Sequence, residues 1–338
     1  MKKIFITLLV LFSTSYGFTQ NVTFIQPPTQ TTPGMCYGGN QTVTASTQNA
    51  TGFLVQVLNS QNNWENYPGA EGLIDTNPGA ISYTFYGISY AFAFRIRIFN
   101  ATDTLNSGPQ TITPNRPEFA FHPADLMQCT GNAVKFYASA TGNGNISYQW
   151  YRFDGSTNHV LTNGSVYSGV GTNGLGIASV ASSQHNYQFL VKATDPNGCE
   201  NYSQTGKLTV NQLSTVVSPT TTQQYCEGDT VTFSVATKIG EVSSQNWMKK
   251  FGSEPVYTNI TPSTHFSDPT GDILKVFDIK PTENNYRLRV NFVVKNQNAD
   301  GSISTSICTK DATRASYVIN PRPQKPSPIA DLERCGSG

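Results

Sequence analysis

The chain has 338 residues, 13% of them charged, with 22 Lys and Arg against 21 Asp and Glu for a formal net charge of +1. So weak and balanced a charge gives no electrostatic reason to seek nucleic acid or an anionic membrane, and it leaves Asn, Gln, Ser and Thr to cover the surface. Aromatic content of 11%, with 28 Gly and 19 Pro, suits strands joined by many turns, and the length exceeds what one core usually supports.

Residues 1–17 read as a secretory signal peptide: Lys2 and Lys3, a short apolar run from Ile4 to Phe12, then Ser15, Tyr16 and Gly17 as a small-x-small cleavage site. That run is too short to span a bilayer, and no later segment approaches the ~20 apolar residues needed. The absence of a cysteine at the cleavage site argues against a lipid anchor.

Four times a cysteine follows a short polar approach: at Cys36, Cys129, Cys226 and Cys335, about a hundred residues apart, the length of one small β-sandwich. After the first three comes a glycine two residues on and then a β-type run. Residues 330–334 (ADLER) echo residues 124–128 (ADLMQ), so Cys335 marks the threshold of a fourth copy. The expected organisation is a first, diverged module over 18–114, a second over 115–213 and a third over 214–320. Residues 321–338 then form a proline-rich linker and the start of a fourth.

In the first module, Phe53–Val57 reads as a strand, and Phe92, Phe94, Ile96 and Ile98 alternate with Arg95 and Arg97, as one buried and one wet face require. Tyr83, Phe85, Tyr86 and Tyr90 make it rich in aromatics. Alternating burial accounts for at least half of these, and an exposed subset could stack on sugar rings. The second module shows strands at Ala133–Tyr137, Ile146–Tyr151, Leu175–Val180, Tyr187–Val191 and Lys207–Val210, with a glycine-rich connection over 154–174. The third repeats the order at Val231–Val235, around Trp247, and at Ile273–Ile279, Tyr286–Val290 and Ala315–Ile319. Trp150 and Trp247 read as core residues. No window sustains helical periodicity. The modules meet at 113–117 and 211–219, where proline interrupts polar sequence. Such linkers act as semi-rigid spacers, and sandwiches strung on them make a rod.

Cysteine usage fits an oxidising compartment. Within the second module Cys199, after the turn at 195–198, is the expected partner of Cys129. Within the third, Cys308, after the turn at 298–301, is the expected partner of Cys226. This leaves Cys36 without a partner, either as a buried relic or for intermolecular pairing, and Cys335 waiting for a partner further along the chain.

The order of events is cysteine-x-glycine, strand, tryptophan strand (Tyr148–Tyr151), tyrosine-led strand, a turn with cysteine (Asn197–Cys199) and a last strand. It resembles the immunoglobulin-like repeats of long secreted Bacteroidota proteins, including type IX-secreted surface proteins and gliding adhesins. The resemblance implies tandem seven-stranded sandwiches, all-β, in an adhesive or spacer role. The first module departs from it, lacking a second cysteine and a tryptophan on its central strand. Asp103-Thr104-Leu105 and Asp229-Thr230-Val231 match the short O-glycosylation acceptor pattern of such proteins at Thr104 and Thr230, although a turn entering a strand explains both.

Catalytic motifs are absent: there is no nucleophile elbow, HExxH, phosphate loop or nucleotide fingerprint. His122, His159, His185 and His265 are scattered without metal-like spacing. Calcium is a fair question for an extracellular β array, with Asp268 and Asp272 the best candidates. Yet Asp with Gly and Pro is first of all turn chemistry, and no other cofactor is implied. The expectation is a non-enzymatic adhesin, the amino-terminal stalk of a longer secreted or cell-surface protein, acting in adhesion or gliding. Its partners would be the export and outer-membrane machinery and a glycan or protein ligand. The alternatives are carbohydrate-binding or spacer modules of a secreted hydrolase, and a laterally assembling surface subunit.

Overall fold

The computed structural model describes residues 21–31, 34–214, 216–218, 223–250, 254–282, 285–312 and 318–321. The signal peptide expected at residues 1–17 and the opening cysteine Cys335 lie outside them. The described residues form tandem immunoglobulin-like β-sandwiches whose only helical element is a 3-10 turn at Ser182–Gln184. None of these residues belongs to a helix long and apolar enough to cross a membrane.

The chain divides into two compact units, residues 1–116 with 195–200, and residues 117–194 with 201–338. In the first, strands Thr23–Gln30, Gly39–Gln48 and Gly79–Ile88 form one sheet. Trp64–Leu73, Gly52–Leu58, Phe92–Phe99, Thr104–Asn106 and Gln110–Ile112 form the other. Val43, Ile81 and Phe85 from one sheet bury against Val55, Phe94, Ile96 and Ile98 from the other. The alternation read from sequence is thus the core face of Phe92–Phe99, with Phe92 only half-buried at its start.

The second unit holds two further cores. One gathers Val134, Phe136, Leu175 and Ile177 against Trp150, Phe189, Val191 and Leu208. The other gathers Phe233, Leu274 and Val276 against Trp247, Tyr286, Leu288 and Phe292. Both tryptophans are fully buried and solve their N–H problem alike: Trp150 Nε1 donates to Thr172 O at 2.8 Å and Trp247 Nε1 to Gly271 O at 3.0 Å.

At the expected boundary, 211–219, residues 211–213 belong to a strand. Strand Gly206–Leu213 runs on to pair with Lys238–Ile239. Strand Leu126–Cys129 also meets Tyr286–Gln297 through Met127 and Lys295, so one sheet continues through both cores. Buried Gln297 fastens this junction: its Oε1 accepts from Ala124 N at 3.1 Å and Tyr137 N at 3.0 Å, and its Nε2 donates to His122 O at 3.0 Å. These hydrogen bonds join the two sandwiches of this unit directly.

Trp247→Ala removes the largest buried ring of its core and orphans the Gly271 carbonyl, so a loss of about 3–5 kcal/mol in chemical denaturation is expected. Leu73→Ala, at a side chain 81% exposed, should change stability by less than ~0.5 kcal/mol in the same assay.

Candidate functional site: cysteine clasps and an aromatic cleft

Each described opening cysteine stands in parallel register with an asparagine at the end of its own repeat. Cys36 faces Asn115, Cys129 faces Asn211, and Cys226 faces Asn320. The turn after each is the same, with Gly38, Gly131 and Gly228 at φ of 77°, 86° and 90°, backbone that favours glycine. Those glycine N–H groups donate to Ile88 O, Val180 O and Ile279 O. The three sites are therefore one geometry repeated.

The disulfides use this geometry in a way that corrects the sequence expectation. Cys36 bonds Cys199 with Cα atoms 5.0 Å apart, and Cys129 bonds Cys308 at 6.4 Å, both inside the range disulfides require. The expected pairs Cys129–Cys199 and Cys226–Cys308 are not formed, Cys36 is not unpaired, and Cys226 is an exposed free thiol. The reason lies in the sandwich. Strand Gln188–Thr194 leads up to the Cys199 turn, and Gly206–Leu213 runs back antiparallel to it. Cys129, facing Asn211, sits beside the start of Gln188–Thr194, so the length of that strand, ~20 Å, separates it from the turn. Pairing within the repeat is out of reach.

The incoming cysteine is held firmly in both clasps. In the first unit, buried Asp195 accepts from Asn197 N and Cys199 N, each at 2.9 Å, and from Asn115 Nδ2. One carboxylate thus fixes the turn and ties it to the asparagine beside Cys36. In the second unit, fully buried Asn211 donates through Nδ2 to Val293 O at 2.9 Å and comes within 3.8 Å of Cys308 Sγ. Each bridge closes a loop of more than 160 residues, worth about 5 kcal/mol in the chain-entropy model. The loops overlap, so the two contributions do not simply add. The asparagines were missed from sequence, where nothing marks them as facing a cysteine.

The first unit also carries a cleft of about 510 Å³ whose lining includes Tyr67, Phe85, Tyr86, Tyr90 and Phe92. Phe85 is buried at its base, with Tyr83, Phe92 and Phe94 edge-on around it at 5.0–5.4 Å. Tyr86 and Tyr90 are 74% and 71% exposed. Of the four aromatics singled out from sequence, Phe85 is core, Tyr83 is half-buried, and Tyr86 and Tyr90 are exposed, Tyr90 with its ring 6.1 Å from that of Phe92.

The calcium candidates are otherwise engaged. Asp272 is paired with the Lys238 ammonium and accepts from Gln245 Nε2 at 3.1 Å; this hydrogen-bonded cation holds its carboxyl below the usual range. Asp268 accepts Thr270 N at 2.9 Å and Thr270 Oγ1 at 2.7 Å, closing its own turn. A lysine on the best carboxylate opposes a divalent cation there. Thr104 and Thr230 are both exposed. His122 and His185 use Nδ1 to accept backbone N–H groups, and His159 pairs with Asp154 at 2.6 Å.

No family model matches the chain, and neither does any curated protein. Among solved structures, an I-band fragment of titin, domains I67–I69, matches at 10% identity and a TM-score of 0.37, covering 88% of this chain and 98% of that one. The three N-terminal domains of the bacteriophage RB49 outer capsid protein Hoc match at 11% and 0.39, covering 87% and 99%. Extracellular domains 3–5 of Drosophila OTK match at 14% and 0.30, covering 88% and 97%. With scores below 0.5, the assignment of fold rests on the strands and cores themselves.

Non-reducing peptide mapping of residues 18–338 produced alone should recover Cys36 joined to Cys199 and Cys129 joined to Cys308, with Cys226 alkylated. Recovery of Cys129 with Cys199 would show the register of the clasps to be wrong.

Proposed function

We propose that this chain is part of a non-enzymatic adhesin, secreted or held at the cell surface, whose sandwiches resist force while presenting a binding face. The observation that carries this reading is the offset of the disulfides, each running from the cysteine that opens one repeat to a cysteine of the next. Two such bridges suit an oxidising, extracytoplasmic compartment. They also limit extension. Between Cys36 and Cys308 the shortest covalent path runs through the Cys129–Cys199 segment alone, about 250 Å fully extended, against about 950 Å with both bridges reduced. A protein that anchors a cell under shear gains from such a limit. The resemblance to Bacteroidota repeats extends the proposal to type IX export and gliding.

Cells lacking the protein should attach poorly under flow, and the wild-type chain should restore attachment. A C36S/C199S chain should restore it only at low shear. Unchanged attachment of the deletion strain would exclude the adhesin reading.

The aromatic cleft favours a second reading, carbohydrate-binding modules attached to a secreted hydrolase. Exposed tyrosines beside Asn59, Ser60 and Ser89 offer stacking faces with polar neighbours, the arrangement a sugar ring needs. On this reading Tyr86→Ala and Tyr90→Ala should each weaken binding to a responsive oligosaccharide about tenfold in calorimetry, leaving thermal stability within a degree or two. An oligosaccharide panel without any binder would remove it.

A further inference from the structure

The third opening cysteine shares the register and turn of the first two and has no disulfide partner among the described residues. Cys226 closes strand Gln224–Cys226, which pairs in parallel with Val318–Asn320, so that Cys226 faces Asn320 as Cys129 faces Asn211. Glu227 N donates to Asn320 O at 2.9 Å, as Tyr37 N donates to Asn115 O at 2.9 Å in the first clasp. Asp229 N returns to Cys226 O, as Gly39 N and Asn132 N return to Cys36 O and Cys129 O. In the occupied clasps Asn115 binds the incoming turn and Asn211 binds the strand beside the incoming cysteine. Asn320 is exposed, and the contact of its Nδ2 is to nearby Gln224 Oε1 at 3.3 Å.

We propose that Cys226 and Asn320 form an open clasp for the turn-side cysteine of one further sandwich repeat, carried on the same chain after the cysteine-opened segment at 330–338. The occupant is argued from the two occupied clasps, where the cysteine of repeat n takes the turn-side cysteine of repeat n + 1. Cys335 does not qualify, because its approach, residues 330–334, echoes the approach to Cys129 and marks it as an opening cysteine. A repeat tethered a few residues away also has an effective concentration that a second chain cannot match. In closure, the Cys226 thiol and the incoming thiol each lose a proton. Two electrons pass to a disulfide oxidant of the export compartment, which leaves as a dithiol. The proposal does not depend on what the array binds, so it stands or falls separately from the adhesin reading.

The test is disulfide mapping of the full-length protein, alkylated on extraction from the cells that make it. The expected result is the Cys226 peptide joined to a peptide of the repeat that Cys335 opens, at a cysteine following a turn with glycine. Cys226 recovered alkylated, joined to Cys335, joined to Cys226 of a second chain or joined to any other cysteine overturns the proposal. As a second measurement, Cys226→Ser in the full-length chain should leave Cys36–Cys199 and Cys129–Cys308 intact and expose one new alkylatable cysteine in the following repeat. If that variant exposes none, the clasp is not filled as proposed.

Discussion

Parallel pairing of the opening cysteine with the asparagine that ends its repeat, between strands in the second and third clasps and as an isolated bridge in the first, governs where each described clasp falls. Because both strands run the same way, their ends share one pole of the sandwich, and it is the pole from which the chain moves on. A cysteine at that pole is within reach of the next repeat. The turn-side cysteine of its own repeat lies a strand length away. One register choice therefore converts a familiar inventory of paired cysteines into bridges between successive repeats.

Side chains around the junction of the second unit obey the same choice. With Leu126–Cys129 beside Gly206–Leu213, a long strand from the next sandwich, Tyr286–Gln297, can approach the exposed edge of Leu126–Cys129. Met127 of that edge pairs with Lys295, and beside it Gln297 makes three hydrogen bonds at 3.0–3.1 Å, with Ala124 N, Tyr137 N and His122 O. Cys129 itself packs in the core that also holds Trp247 and Phe292, so the bridge to Cys308 is sheltered by the sandwich it reaches. The clasp and the continued sheet are two results of one docking, and each restrains the motion that would open the other.

Much of the sandwich was legible in the sequence because its signals are local. The period-two pattern at Phe92–Phe99 and the tryptophans at 150 and 247 report burial through their immediate neighbours, and the strands formed close to where they were read. The pairing of cysteines was not legible, since proximity along the chain favoured Cys129 with Cys199 and nothing local reveals which pole a cysteine occupies. Asn115, Asn211 and Asn320 escaped notice for a related reason. An asparagine near proline or at a strand end reads as turn chemistry, and only parallel register shows that all three face a cysteine. The aromatic run was half legible: alternation along the strand foretells that Phe85 is buried and Tyr86 exposed, but not the cleft that gathers Tyr67, Tyr86 and Tyr90.

Several carboxylates of this chain are engaged within their own turns. Asp154 accepts Ser156 N and Thr157 N, Asp268 accepts Thr270 N, and Asp300 accepts Ser302 N and Oγ, each within its own loop. These hydrogen bonds, with His159 the leading partner of Asp154, hold all three carboxyls below their ordinary range. A carboxylate so engaged makes a poor proton acceptor, and it would have to break its turn to join a metal. Asp195 carries the same motif one step further: its turn delivers a cysteine, and its second oxygen binds the asparagine beside the thiol that cysteine meets. The turn chemistry that occupies the acids elsewhere is, at that one position, what aims the disulfide.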